Sequence, residues 1–270
     1  MKRQLTCEAV LGIALIAIAT QISLHAELTE ELHKTYPIDA DGRVSLKNVN
    51  GPVHISAWDR NEVQVDAIKR ASTKEALDEA SIVIDSASSS ISIRTRYPDS
   101  ETRRSRSHRD AASVEYTLKV PRRARLFAVE TVNGGVDVKA VSGNVKVSSV
   151  NGSVIAQNLA SEAQLSTVNG RVEASFEKLE GTPSISLHTV NGSIELAIPE
   201  KSNAELSAST VHGPIASDFG MPMSSSRYHK VGGSFTGRIG SGGAHIKLSS
   251  VNGAIRILST ADGRRVVHAD

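Results

Sequence analysis

The residues with the most evident potential for chemistry are seven arginines that lie close together in the sequence. They are Arg103, Arg104, Arg106, Arg109, Arg122, Arg123 and Arg125. Guanidinium groups bind phosphate and carboxylate through paired hydrogen bonds, so this cluster predicts a patch for anionic polymers or lipid phosphates. A solvated loop is the favoured alternative, because Asp99, Glu101 and Asp110 lie in the same segment and charge runs usually face water.

The carboxylates between positions 131 and 258 do not form a catalytic pattern. Glycosidases need two facing carboxylates, and calcium sites need several oxygen ligands together. The aspartates and glutamates here are dispersed, and none recurs as a pair at a fixed spacing: Asp137, Asp218, Glu162, Glu173, Glu177, Glu180, Glu195, Glu200 and Glu205. The sequence therefore predicts no catalytic residues and a protein that is not an enzyme.

Metal, nucleotide and nucleic-acid sites are not expected either. The histidines that could serve as ligands are scattered without metal-ligand spacing: His54, His188, His212, His229 and His245. The sequence has no glycine-rich phosphate loop, and aromatic residues make up only 3% of the chain, too few for a base-stacking platform. We therefore expect no metal, no cofactor and no nucleic-acid partner.

Residues 1–26 have the pattern of a secretory signal peptide. Lys2 and Arg3 form a basic start, residues 9–19 an apolar run, and residues 23–26 a suitable cleavage site. The apolar run is shorter than the roughly 20 residues that span a bilayer, and an uncleaved anchor is the alternative. We expect export to the periplasm or the cell surface. The remaining chain would contain no cysteine, since the single one is Cys7.

The elements that must position any site follow from a repeat between positions 131 and 174. Its apolar residues recur at steps of four, two and three: Val132, Val136, Val138, Val141, Val145, Val147, Val150, Val154, Ala156, Leu159, Ala163, Leu165, Val168, Val172 and Ala174. We predict that this whole series lies in the core. Each four-step contains a turn and alternate turns are Asn-Gly, so each half-repeat predicts one short strand and one corner.

The three-step breaks the alternation of a strand, which predicts a second bend or bulge in each half-repeat. A chain that bends repeatedly around an enclosed core is a β-solenoid. We therefore predict an all-β, β-helix-like fold with about six coils. The Asn-Gly spacings of 18 and 22 residues give the coil length. An antiparallel β-sandwich is the alternative, because Asn-Gly is also the strongest hairpin signal.

The predicted turns extend along most of the chain. They are Asn50, Gly51, Asn133, Gly134, Asn151, Gly152, Asn169, Gly170, Asn191, Gly192, His212, Gly213, Asn252 and Gly253, with His212 in the asparagine position. Stacked asparagine side chains that hydrogen-bond along one edge would explain their repetition. We expect Gly152 to occupy a corner with positive φ. The longer spacing between Asn169 and Asn191 predicts a bulged corner at 178–183.

The segments outside the repeats carry weaker signals. A capping box from Ser72 to Glu75 predicts one short helix over 75–80, followed by strands at 81–85, 90–96 and 113–120. The unpatterned segments 97–112 and 217–234 are predicted as loops, the first of them in a hairpin. Trp58 is interpreted as a core or coil-capping residue rather than a ligand platform. The expected organisation is a signal at 1–26, an N-terminal β part at 27–130, repeats at 131–260 and a tail at 261–270.

Several of these features together resemble a known family. Repeated Val-Asn-Gly turns follow the segment Val53-His-Ile-Ser-Ala-Trp58-Asp-Arg60, and Val120-Pro121 leads into the repeats. Over roughly residues 40–258 this is similar to the bacterial "putative adhesin" domain family of envelope proteins. The resemblance implies a β-solenoid-like fold at the cell envelope, and it supplies no catalytic residues.

Three functions are consistent with these observations. The first is an exported, non-enzymatic envelope protein that binds an envelope polymer or a glycan, or that organises the envelope. The second is a component of an envelope-stress sensor that docks on a membrane protein through segments 97–112 and 217–234. The third is a carbohydrate-active enzyme, which the dispersed carboxylates disfavour. The sequence does not indicate the oligomeric state.

Overall fold

The described residues of the protein form two ten-stranded β-sheets and one short helix. A computed structural model of the chain describes residues 27–98, 111–220 and 232–260. Sheet A contains, in spatial order, β1 (Leu28–Pro37), β4 (Glu62–Ala71), β7 (Ser113–Pro121), β3 (Val53–Trp58), β9 (Val136–Lys139), β11 (Val154–Leu159), β13 (Val172–Phe176), β15 (Ile194–Pro199), β20 (Ile255–Thr260) and β17 (Ile215–Ser217).

Sheet B faces sheet A across the core and is built in the same way. Its spatial order is β18 (Gly233–Ile239), β16 (Ala204–His212), β19 (Ala244–Asn252), β14 (Ser184–Asn191), β12 (Ala163–Asn169), β10 (Val145–Asn151), β8 (Arg125–Asn133), β2 (Arg43–Lys47), β6 (Ser90–Arg96) and β5 (Ser81–Ala87).

The chain alternates between the sheets, and each coil is one strand of sheet B followed by one strand of sheet A. Neighbouring coils pair in parallel, as β10 does with β12 and β11 with β13. Parallel pairing around a closed core confirms the predicted β-solenoid and excludes the antiparallel sandwich. Eight such coils form: β6–β7, β2–β3, β8–β9, β10–β11, β12–β13, β14–β15, β19–β20 and β16–β17.

The coils have two kinds of corner. The corners from sheet B to sheet A carry the Asn-Gly pairs, and we call this side of the solenoid the asparagine edge. The corners from sheet A back to sheet B form the return edge, at 122–124, 140–144, 160–162, 177–183 and 200–203. The predicted bulged corner at 178–183 lies on the return edge, where β14 nevertheless keeps an unbroken parallel register with β12.

The spatial order of the coils differs from their order in the chain at both ends. Coil β6–β7 lies outside coil β2–β3, and β6 and β7 belong to different sheets. The predicted hairpin between β6 and β7 is therefore wrong. At the other end, coil β19–β20 lies between β14–β15 and β16–β17. A four-residue turn at 240–243 carries the chain from β18 across the start of β16 to β19.

Antiparallel strands close the stack. β4 pairs with β7 and carries β1 on its outer side, while β5 covers β6. At the C-terminal end, β18 covers β16. These strands are not coil repeats, and they shield coil edges that would otherwise pair with another chain. Among the described residues, no helix is long and apolar enough to cross a membrane.

The core corrects one sequence prediction. The valine that precedes each Asn-Gly pair points outward, and Val132, Val150 and Val168 are each 39% exposed. The inward position is held by the residue before it, for example Ser149 or Thr167. At these three-steps, strand alternation continues through a buried hydroxyl residue and no extra bend occurs. The valines point outward because the asparagine-edge corner follows the strand's last inward-pointing residue, and that residue is a serine or a threonine. At the alternate three-steps, 138–141 and 156–159, the predicted bend is present: Ala140 and Asn158 have φ of 59° and 56°, and the register shifts between Ala156 and Leu159.

All but one of these buried hydroxyls bind a neighbouring coil, and Thr131 is the exception among the described residues. Five of them donate to a glycine carbonyl of the adjacent asparagine-edge corner, at 2.8 to 3.1 Å: Ser149 to Gly134, Thr167 to Gly152, Thr189 to Gly170, Ser250 to Gly192 and Thr210 to Gly253. These hydroxyls therefore have a hydrogen-bond acceptor inside the solenoid, whereas an outward-facing hydroxyl could bind water instead.

The helix α1 (Lys74–Glu79) agrees with the predicted helix over 75–80 to within one residue at each end, but its N-cap is Thr73 and not Ser72. Thr73 is the N-cap, because its Oγ1 accepts from the Ala76 amide at 3.2 Å. The buried Lys69 closes the other end, donating to the carbonyl of Ala80 at 3.2 Å. A cation at a helix C-terminus is stabilising, so Lys69 fastens the helix to β4.

A buried polar network joins the first two coils. Asn48 donates from Nδ2 to the carbonyls of Gly51 and Val114, and its Oδ1 accepts from Thr95 at 2.9 Å. The only hydroxyl proton of Thr95 is used in that bond, so the Tyr116 hydroxyl donates to Thr95 Oγ1 at 2.7 Å. Such a network is stable because every member has a partner.

Burial raises the pKa of Tyr116 from 10.0 to about 12, against a smaller opposing effect of the Thr95 hydrogen bond. Between pH 10 and 12 the unfolded chain loses this proton while the folded chain keeps it, so we expect stability to fall in this window. Tyr116→Phe should flatten that part of the stability curve and remove the last step of the ultraviolet tyrosinate titration. Titration of Tyr116 together with the other tyrosines would contradict the buried assignment.

Candidate functional site

The asparagine edge carries a ladder of side-chain amides. Each Nδ2 donates to the Oδ1 of the asparagine on the neighbouring coil at 2.8 to 2.9 Å, along the series Asn50, Asn133, Asn151, Asn169, Asn191 and Asn252. His212 follows Asn252 in register on the last coil. The structure thus places the predicted turn asparagines in one row. Each inner amide keeps one N–H and one lone pair for solvent, but its first role is to stiffen the stack.

The glycines of these corners allow the coils to approach. A Cβ on Gly152 would lie 2.1 Å from the Gly134 carbonyl oxygen, and the same contact recurs from Gly51 to Gly213. Gly51 has φ of 115°, but Gly152 does not lie in the left-handed region. The prediction of a positive φ at Gly152 is therefore wrong, and close packing of backbone is the reason for glycine there.

The outward valines form a second row beside the ladder. They lie in register on successive coils as Val49, Val132, Val150, Val168, Val190, Val251 and Val211. All are at least partly exposed, Val211 at 50%. Sequence reasoning missed this row, although the Ser or Thr that precedes every one of these valines except Val49, which follows Asn48, was a signal for it.

The predicted arginine patch is not assembled in the part of the chain that the structure describes. Arg103, Arg104, Arg106 and Arg109 lie outside the described residues. Arg122, Arg123 and Arg125 lie on the return edge, whereas Pro98 and Ala111, the described ends of that segment, lie on the asparagine edge. Arg122 and Arg125 are also paired, with Asp59 at 3.2 Å and with Asp41 at 2.9 Å.

A groove on the outer face of sheet B, beside the return edge, is the best candidate site. It has a volume of about 370 Å³. The lining residues come from β2, β8, β10, β12 and β14 and from the corners before them: Arg43, Arg125, Leu126, Phe127, Asn144, Val145, Lys146, Glu162, Ala163, Gln164, Ser184 and Ser186. We call it the sheet B groove. Because its walls are paired strands, it is largely preformed.

Phe127 is the most prominent residue of this groove, with 63% of its surface exposed. Its orientation results from a β-bulge. Val44 of β2 is opposite Leu126 but the next residue of β2, Ser45, is opposite Ala128, so β8 contains one extra residue. Leu126 and Val129 both remain buried, and Phe127 between them turns outward. The guanidinium of Arg43 lies over its ring, 5.9 Å from the centroid.

The polar groups of the groove are arranged in two parts. Arg43 and Lys146 come from the two strands that flank Phe127, β2 and β10. Further along, Gln164 and Ser186 continue the same row as Lys146 on β12 and β14. Glu162 is the only carboxylate that lines the groove, and it accepts from the Asn144 amide at 2.8 Å.

The remaining candidates have structural partners. Trp58 donates from Nε1 to the Glu62 carbonyl at 2.8 Å, while Arg60 and Lys119 lie 5.0 and 5.7 Å from its ring centroid. The indole is thus covered by cations, which favours the interpretation as a coil-capping residue. His54 pairs with Asp137 at 2.9 Å.

No group of three potential metal ligands occurs among the described residues. His229, the signal segment 1–26 and the tail 261–270 lie outside the described residues, as do 99–110 and 221–231, the central parts of the two predicted loops. The docking role predicted for those loops stays a prediction.

Comparison with known proteins agrees with this geometry. The chain belongs to the Toastrack family, DUF4097, whose family model matches residues 17–258. The Val-Asn-Gly repeats thus led to the correct group of β-strand-repeat proteins. No curated protein sequence matches the chain at a significant level.

Several solved structures are similar to this chain. One is described as a "putative cell adhesion protein" from Clostridium sporogenes, with 11% identity and a TM-score of 0.51, over 86% of this chain and 100% of that one. A "putative adhesin" from Bacteroides fragilis has 13% identity and a TM-score of 0.35, over 86% and 97% of the two chains. A "putative lipid binding protein" from Parabacteroides distasonis has 10% identity and a TM-score of 0.33, over 87% and 95%. At these identities the first similarity shows a common fold and nothing further.

Proposed function

We propose that this protein is an exported, non-enzymatic, adhesin-like envelope protein that binds an extended polymer in the sheet B groove. The observation that carries the proposal is the exposed ring of Phe127 in a groove built from five neighbouring strands. An aromatic ring held by a bulge on a rigid sheet offers a stacking surface at little cost in side-chain entropy.

The length of the groove favours a polymer over a small molecule. Four strand-to-strand steps separate β2 from β14, and at roughly 4.8 Å a step they span about 19 Å. Backbone ladders fix this whole distance, so a ligand would meet a preorganised surface. Export would follow from residues 1–26, and residues 27–270 contain no cysteine that would need a redox partner.

The chemistry of the groove favours binding without turnover. Hydrolysis of a glycosidic bond requires an acid and a second carboxylate on the other side of the bond. Glu162 is the only carboxylate among the described residues that line the groove, and it already accepts a hydrogen bond from the Asn144 amide. A single engaged carboxylate can hold a sugar hydroxyl, but it cannot supply both roles.

Replacing Phe127 by Ala should weaken binding to isolated envelope polysaccharide by about tenfold, since an aromatic anchor contributes roughly 1–2 kcal/mol. Co-sedimentation of the purified protein with the polymer measures this effect. Val211→Ala, which removes another exposed apolar side chain at the far end of the solenoid, is the control and should bind like the wild type. Undiminished binding by the Phe127 variant would overturn the groove as the site, and release of sugar products would overturn the non-enzymatic assignment.

A further inference from the structure

We infer that the sheet B groove selects an acidic polysaccharide, with the acidic sugar unit stacked on Phe127. This inference rests on the function proposed above and names the class of ligand. It is carried by the position of the groove's cations, which lie on both sides of the exposed ring.

The register of the strands determines this arrangement. Phe127 lies in the bulge of β8, Arg43 is on the neighbouring β2, and Lys146 is on the neighbouring β10. The carboxylates near these cations are few. Asp41 forms an ion pair with Arg125. Glu162 immediately precedes β12, and its carboxylate accepts a hydrogen bond from the Asn144 amide. In the part of the chain that the structure describes, neither Arg43 nor Lys146 forms an ion pair.

The ligand chemistry follows from this geometry. A sugar ring offers an apolar face of C–H groups to the phenyl ring, and an acidic group at its rim would lie within reach of a cation on either side. Arg43, which already lies over the ring, can form two parallel hydrogen bonds with a carboxylate.

The rest of the groove suits the neutral units of such a chain. Gln164 on β12 and Ser186 on β14 continue the row that begins with Lys146, and neither carries a charge. Their amide and hydroxyl groups can pair with sugar hydroxyls. The groove thus has a cationic end at β2 to β10 and, at β12 to β14, a polar end without cations, where Glu162 is the carboxylate that lines it. We therefore expect it to bind a polymer that presents neutral hydroxyl groups as well as acidic groups.

The inference is tested by comparing polygalacturonate with its methyl ester, which has the same backbone without the charge. The wild-type chain should bind the acid form at least tenfold more tightly at low ionic strength, and salt should reduce this preference. Arg43→Gln and Lys146→Gln should each lower affinity for the acid form several-fold and leave binding of the ester unchanged.

Lys247→Gln is the matched control. Lys247 lies on β19 in the same outward row as Lys146 and Ser186, but beyond the groove, so its loss should leave the acid preference intact. Equal binding of acid and ester that still depends on Phe127 would overturn the inference and leave the proposed function standing. Binding of neither polymer would overturn the inference, and the proposed function would fall with it only if the protein also failed to bind isolated envelope polysaccharide. Binding of phosphatidylglycerol vesicles through Arg43 and Lys146, without binding of polygalacturonate, would overturn the inference in favour of a lipid headgroup.

Discussion

Gly152→Ala is expected to destabilise the solenoid by about 3 kcal/mol, a large share of the stability of a domain. The added methyl group would lie 2.1 Å from the carbonyl oxygen of Gly134, well inside contact distance. The carbonyl belongs to the backbone and the backbone fixes the position of the Cβ, so neither group can turn aside as the end of a flexible side chain would. The two coils must separate, which lengthens the bond from the Gly134 amide to the Asn151 carbonyl, now 3.0 Å. Chemical denaturation of the purified variant measures the loss.

Gly181→Ala separates this effect from backbone strain. Gly181 lies on the return edge with φ of 74°, a conformation that favours glycine, yet no atom lies within 4 Å of a Cβ placed there. Its substitution should cost about 1 kcal/mol, the usual penalty for a left-handed residue with a side chain. If Gly152→Ala cost no more than Gly181→Ala, close packing of the corners would not be the reason for glycine on the asparagine edge.

Thr189→Val is expected to lower stability by about 2 kcal/mol, because it removes a buried hydrogen bond at nearly constant volume. Thr189 is fully buried, and its Oγ1 donates to the Gly170 carbonyl at 2.9 Å. The valine would leave that carbonyl without its side-chain donor. Urea denaturation monitored by circular dichroism gives the free energy of unfolding for comparison with the wild type.

Thr131 offers a natural control at the equivalent position of another coil. It is also buried, at 4% exposure, but its Oγ1 has no hydrogen-bond partner among the described residues. The carbonyl that it would bind, that of Gly51, accepts from Asn48 instead. Thr131→Val should therefore be neutral or slightly stabilising, since an unpaired buried hydroxyl is costly. Equal losses in the two variants would show that the hydroxyl bonds to glycine carbonyls contribute nothing.

The solenoid could be predicted from sequence because its repeat is short and its corners are chemically distinctive. Each Asn-Gly pair indicates a corner, and the spacing between pairs gives the length of a coil. The identity of the buried residues was harder to predict. Hydropathy favours Val150 over Ser149 for the core, yet the serine is inside, because a carbonyl on the next coil satisfies its hydroxyl. That carbonyl is remote in sequence, and only the stacked structure brings it close.

The candidate groove could not be predicted in the same way. Its main residue, Phe127, precedes the regular repeats and is turned outward by a bulge, and a bulge depends on the pairing of β8 with β2. β2 lies about eighty residues earlier in the chain, a relation that local pattern does not contain. The arginine patch stays a prediction, because Arg122, Arg123 and Arg125 lie on the return edge and its other four members lie outside the described residues.

The insertion of the C-terminal coil between two earlier ones has a consequence for the length of the solenoid. Asn191 and His212 both align with Asn252, and Leu187 and Ala208 both align with Leu248. β14 and β16, which lie on either side of the inserted strand β19, thus pair with it in the same register. Removing residues 240–260 would leave β14 and β16 able to pair directly and give a stack one coil shorter. In this architecture a coil is a modular unit that can be gained or lost internally, so relatives of different length need not differ at their ends.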